Sequence, residues 1–167
     1  LPTKDEHNIR LCISAGEPLP SDLLARWRGT FGVDILDGLG TTEMLHIFVS
    51  NRPDEITPGS TGRVVPGYQI RLINDNNEVC APGEMGVLEV SGPSSALMYW
   101  GQRQKTKDTF RGSWTRTGDN YSISEEGVMT YGGRNDDMLK VGGIYVSPFE
   151  VEAALIKHEA VLEAAVV

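Results

Sequence analysis

The sequence predicts a mixed architecture, α/β plus β: the end of a parallel αβ subdomain, an antiparallel β-barrel-like subdomain, and the start of a small α+β C-terminal domain. Three observations predict it. The first part reads strand, helix, strand. From about Thr57 short alternating apolar runs are broken by Gly, Pro and Asn. After Arg134 the pattern becomes hairpin, helix and a last apolar run. The expected divisions are 1–57, 58–134 and 135–167. A chain of 167 residues, 40% hydrophobic and 23% charged, is globular and fills one ordinary domain or parts of two.

Each element has a local cause. IRLCIS is apolar and β-branched, and RLCISAG predicts a buried strand holding Cys12. AGEPLPSD is a Gly- and Pro-rich turn. Ser21 is the expected N-cap of a helix through LLARWRGTFG that closes at Gly32, and VDILDGL follows as a second short buried strand. Such a unit is parallel, and ligands collect at the carboxyl ends of its strands. Here both ends carry glycine and acid, SAGE and DGLGTTE. GSTGRVVPGYQIRLIND, NEVCAPGEMGVLEVSGP and GVMTYGGR predict antiparallel strands, with a partly helical SSALMYWGQRQKTKDTF among them. DMLKVGGIYVSP predicts a hairpin turning at Gly142 and Gly143. Pro148 then opens a helix with a stripe of Phe149, Val151, Ala154 and Leu155, and LEAAVV reads as a strand that needs neighbours.

Composition excludes several function classes. A net charge of −8, with no basic cluster, argues against nucleic acid as the main partner. No apolar run approaches the roughly 20 residues that span a bilayer, and no secretory leader is visible. Cys12 and Cys80 lack metal or disulfide spacing, and His7, His46 and His158 lack ligand spacing, so reduced thiols in a cytoplasmic protein are expected. The absence of an initiator Met and the ending in LEAAVV mark a piece of a longer protein. Self-association is left open.

The chemistry-bearing stretches are short, and each has a plain structural reading beside the functional one. Gly40 to Glu43 supplies two hydroxyls and a carboxylate that could hold phosphate and Mg²⁺, or could simply cap a helix. TRTGDN reads as a loop in which Asp119 could accept ribose hydroxyls, or bond its own backbone. Arg134 in GRNDD could fork onto a phosphate or ribose, or form a surface pair with the adjacent aspartates. His46 in MLHIF reads as a satisfied core histidine.

In this order SAGEPLP, DGLGTTEMLHIF, TRTGD and GRNDDMLKVGGIYVSPFEVEAAL resemble the adenylate-forming enzymes: acyl- and aryl-CoA synthetases, firefly luciferase and peptide-synthetase adenylation domains. The likeness is nearest to the benzoate-CoA ligase branch and covers nearly the whole chain. It implies ATP, Mg²⁺ and coenzyme A as cofactors and co-substrates, and an aryl carboxylic acid as substrate. It implies that Gly16, Glu17 and Pro18 line an adenine pocket and that Asp37 reaches the adenine amino group. Gly38 and Gly40 would allow close approach, and Leu39 would replace the aromatic residue many relatives stack on adenine. Thr42 and Glu43 would be the catalytic pair, on phosphate and Mg²⁺ respectively. Asp119 would hold the ribose and Arg134 the ribose or its phosphate. His46 with Gly38 and Gly40 would form the acid pocket. Asp136 would be the hinge of a mobile C-terminal lid, and Lys140, Gly142 and Gly143 would flank the CoA channel. The family's phosphate loop and adenylation lysine do not occur in these residues, so the isolated piece is expected to be inactive. Alternatives are an enzyme that loads a carrier protein and a non-catalytic nucleotide-binding module.

Overall fold

The computed structural model describes residues 6–141 and 144–166. β1 (Cys12–Ala15), α1 (Ser21–Phe31) and β2 (Ile35–Gly40) form the expected unit, with β1 and β2 parallel and Ala15 opposite Gly38. Pro20, not Ser21, holds the N-cap position of α1, and no side chain caps the helix. The ring of Pro20 presets an extended entry, so Ser21 is already helical. At the other end the Gly32 N–H donates to Arg28 O at 2.9 Å. Leu19, Leu24 and Ile35 make a small core beneath α1, with Trp27 and Cys12 against it.

The expectation that β1 is buried needs correcting. Side chains alternate along a strand, and only one face of β1 meets the α1 core. Cys12 packs there, while Ile13 on the other face is 63% exposed. β2, flanked on both sides, is buried over its first four residues as expected.

β3 (Ile47–Ser50) and β4 (Arg63–Val64) extend this sheet antiparallel, in the order β1-β2-β3-β4. A second sheet contains β5 (Gln69–Ile73), β6 (Gly86–Ser91), β7 (Phe110–Arg111), β8 (Trp114–Ile123) and β9 (Met129–Arg134), antiparallel throughout. β8 is its spine: β6 lies along one edge, and β7 and β9 pair with opposite ends of β8. The sheets are stitched together where Thr61 N–H donates to Met129 O (2.9 Å) and Met129 N–H donates to Gly62 O (2.8 Å). Met44, Phe48 and Val49 meet Leu72, Leu88, Val90, Tyr121 and Met129 in the main core between them. α2 (Arg103–Thr109) realises the partly helical segment.

A turn in which Asp137 N–H donates to Arg134 O (3.2 Å) leads to the hairpin β10 (Leu139–Val141) and β11 (Ile144–Val146), then to α3 (Pro148–Ile156). Gly142 and Gly143, the expected corner, lie outside the described residues. α3 starts as expected, with Pro148 in its first turn and Ser147 Oγ accepting from the Glu150 N–H. Within its predicted stripe Val151 is half-buried, Ala154 is exposed and Leu155 is 48% exposed, the Phe149 side chain lying outside the description. Nor do residues 162–166 form a strand, for a strand needs a partner and none pairs with them among the described residues.

Candidate functional site

Parallel pairing sets the carboxyl ends of β1 and β2 side by side, so Gly16 to Pro18 and Asp37 to Gly40 converge. Asp37 to Leu39 lie inside β2 as expected, and the strand runs one residue further, to Gly40. The register between β2 and β3 shifts at Leu39 and Gly40. A Cβ on Gly40 would sit 2.7 Å from the His46 carbonyl carbon and oxygen, so glycine is needed for the chain's own close approach. Thr41 Oγ1 then accepts from the Met44 N–H (3.3 Å) and caps a single 3₁₀ turn, Thr42–Met44. The capping reading therefore holds for Thr41. Glu43 is left free to turn elsewhere.

Glu43 Oε1 accepts a hydrogen bond from the hydroxyl of Tyr99, 56 residues away in sequence. Lys105 Nζ rests 4.1 Å from the centre of the Tyr99 ring. Burial pushes the Glu43 carboxyl up, but the Tyr99 and Thr41 hydroxyls, its own backbone N–H and the Lys105 charge outweigh it and hold it below the usual range. The Tyr99 phenol moves the other way, raised by burial and by its carboxylate partner.

Asp119 is part of β8 rather than of a loop. The β6–β8 and β8–β9 pairings are both irregular around it, and such bulges re-aim side chains without ending a strand. Directly opposite on β9, Arg134 Nη1 donates to Asp119 Oδ1 at 3.0 Å. The surface pair expected between Arg134 and its neighbouring aspartates gives way to this cross-strand pair. Burial raises the Asp119 carboxyl, and Arg134 offsets part of the rise. Asp37, 6% exposed, has an Oδ1 with no hydrogen-bond partner. Burial lifts its carboxyl to about 6 against the opposing pull of the Leu19 and Gly38 N–H groups.

These groups line one cleft of about 630 Å³. All ten residues expected at a nucleotide lie on its wall, as do Glu43 and Asp136. Six carboxylates face three cations there, and Thr61, Tyr99, Lys105, Asp108 and Arg116 join without having been anticipated from sequence. His46 does not line the cleft. It is an exposed residue and not a core histidine: the chain turns sharply at Leu45 (φ 72°), and the His46 ring bonds outside, Nδ1 to Ile47 O at 2.7 Å. Its Nε2 lies 3.3 Å from the Tyr68 hydroxyl. Lys140 has its backbone in β10, its side chain falling outside the description together with Gly142 and Gly143.

An αβ layer stitched to a curled antiparallel half-barrel, with a polar cleft at the strand ends, defines an adenylate-forming type of enzyme domain. The model of the AMP-binding enzyme family matches residues 2–100, and the chain belongs to that family. It is 59% identical to a benzoate–CoA ligase of Thauera aromatica, an alignment covering 99% of this chain and 32% of the relative. The structure of a benzoate CoA ligase from Burkholderia xenovorans LB400 matches with a TM-score of 0.92 and 51% identity, over 99% of this chain and 33% of that one. The anthranilate CoA ligase AuaEII, solved with anthranoyl-AMP, matches with a TM-score of 0.90 and 49% identity, over 95% and 30%. The chain thus spans about a third of the length of the relatives it matches. Among the described residues no helix is long and apolar enough to cross a membrane.

Proposed function

We propose that the chain is the central-to-C-terminal part of an ATP-dependent aryl-acid–CoA ligase acting on benzoate or a substituted benzoate. It would work in the cytoplasm, where its two free cysteines stay reduced. On this reading residues 1–57 carry the adenine and metal motifs, residues 58–134 carry the ribose-binding strand, and residues 135–167 begin a mobile lid. One observation supports it above the rest. Three stretches far apart in sequence, around Gly16, Asp37 and Asp119, meet in one cleft of nucleotide size.

The residues have separable tasks. Asp37 Oδ1 is a buried acceptor without a donor, and the exocyclic amine of adenine is a donor without charge. Leu39 offers the ring an aliphatic face. Asp119, oriented by Arg134, accepts the ribose hydroxyls, and Arg134 has further N–H groups for ribose or phosphate. Thr42 donates to phosphate.

A carboxylate such as Glu43 on an open cleft suits Mg²⁺, which keeps its waters and takes oxygens from phosphates. Bound there, Mg²⁺ would screen the phosphate charge as the acid approaches. In the first half-reaction a carboxylate oxygen bonds to the α-phosphorus of ATP as the bond to pyrophosphate breaks. In the second, the CoA thiol attacks the acyl carbon and AMP leaves. His46, beside Gly38 and Gly40, would border the acid pocket. Asp136 would be the swivel between half-reactions, with Lys140, Gly142 and Gly143 beside the CoA channel.

The test is carboxylate-dependent ATP–pyrophosphate exchange by the full-length enzyme that carries this chain, run with benzoate, hydroxybenzoates, aminobenzoate and a fatty acid. Aryl acids are expected to drive exchange. Exchange driven by the fatty acid alone would overturn the aryl assignment.

A further inference from the structure

The cleft holds three cations, and two are already committed. Arg134 lies 3.0 Å from Asp119 Oδ1, and Arg116 lies 3.6 Å from Oε1 of the buried Glu89. Lys105, the third residue of α2, has no carboxylate within ion-pair distance among the described residues. Its ammonium rests 4.1 Å from the centre of the Tyr99 ring, whose hydroxyl is bonded to Glu43. An aromatic face holds a cation in place without neutralising it, unlike a carboxylate at the same distance. One positive charge is therefore parked next to Glu43 and left available to a ligand. A polyanion entering a wall of six carboxylates needs such a charge.

We propose that Lys105 is a polyphosphate-binding residue of this cleft. Held over the Tyr99 ring, its ammonium contacts non-bridging oxygens of the β- and γ-phosphates of ATP, and of pyrophosphate before release. Arg134 and Asp119 mark the ribose end, and Lys105 lies with Glu43 on the side reached by Tyr99. The proposal rests on the nucleotide reading above and adds a residue from a segment with no recognisable phosphate motif.

Calorimetric binding of ATP, AMP and pyrophosphate to the full-length enzyme, at saturating Mg²⁺, tests it without turnover. Lys105→Ala should weaken ATP and pyrophosphate by about tenfold, the worth of one charge-assisted contact, and change AMP by less than about twofold. Lys105→Arg should retain most of the ATP affinity, and Lys105→Gln should match the alanine variant. The side chain is exposed, so the fold is expected to survive, and AMP binding checks this in each variant. Equal losses for ATP and AMP, or no loss for either, would overturn the proposal. A wild-type enzyme that binds neither nucleotide would instead sink the nucleotide reading itself.

Discussion

If Asp37 meets the adenine amine, binding must release a proton near pH 6. The carboxyl is 6% exposed, lacks a partner at Oδ1, and has its pKa lifted by burial from 3.8 to about 6. At pH 6 it is about half protonated, and a donor arriving at the carboxylate favours the charged form. Binding at that pH should then expel roughly half a proton per site, and almost none at about pH 8. Adenosine is the ligand of choice, because phosphate titrates near pH 6 itself. The measurement is adenosine binding by calorimetry in buffers of different ionisation enthalpy, at both pH values, for wild type and Asp37→Asn. Any release from Asp119 would persist in the variant, and the Asp37 part would vanish. No release at pH 6, or equal release from the variant, refutes the reasoning. Stability carries the same signature. The folded state binds the proton more tightly than the unfolded chain, so stability falls as pH rises between 3.8 and about 6. Above that window the buried charge costs at most roughly 3 kcal/mol. Asp37→Asn should therefore be the more stable protein at pH 8, with the gap closing below about pH 4.

Three further substitutions probe the frame. In Gly62→Ala the new Cβ would lie 2.3 Å from Ser50 C and O and from Asn51 N, at φ +94°. Denaturation should show a loss of about 3 kcal/mol or more at this seam between sheets, and a loss under about 1 kcal/mol would refute the clash. Arg71→Met strips Glu89, only 2% exposed, of hydrogen bonds at 2.9 and 2.7 Å. Leaving that carboxylate half-paired should cost about 3 kcal/mol, recovered in part by adding Glu89→Gln. Asp136→Pro stiffens the turn after β9 and should spare ATP–pyrophosphate exchange while suppressing thioester formation. Equal loss of both half-reactions would refute the hinge role.

Much of this molecule is legible in its letters, because local physics writes it there. Gly32 stops α1, Pro148 starts α3, and the β-branched runs around Cys12 and Leu36 form a parallel pair around α1. The acids and glycines at those strand ends converge on one cleft. Three kinds of feature were not readable. Burial was misjudged for Ile13, because the face a residue shows depends on what covers it. Asp119 looked like a loop residue because Gly118 mimics a turn signal, whereas the pairing of β6, β8 and β9 absorbs it as a bulge. Partners were least accessible of all. Arg134 sits beside two aspartates in sequence but bonds one 15 residues back, since the β8–β9 hairpin brings them face to face. Tyr99 and Lys105 carry no motif, yet one reaches Glu43 and the other is held on its ring. By itself, the sequence determined most of the elements and the family, and it nominated residues for a nucleotide. Tertiary structure alone decided which charges are paired and which remain open to a ligand, because a charge's partner is set by distance through space and not along the chain.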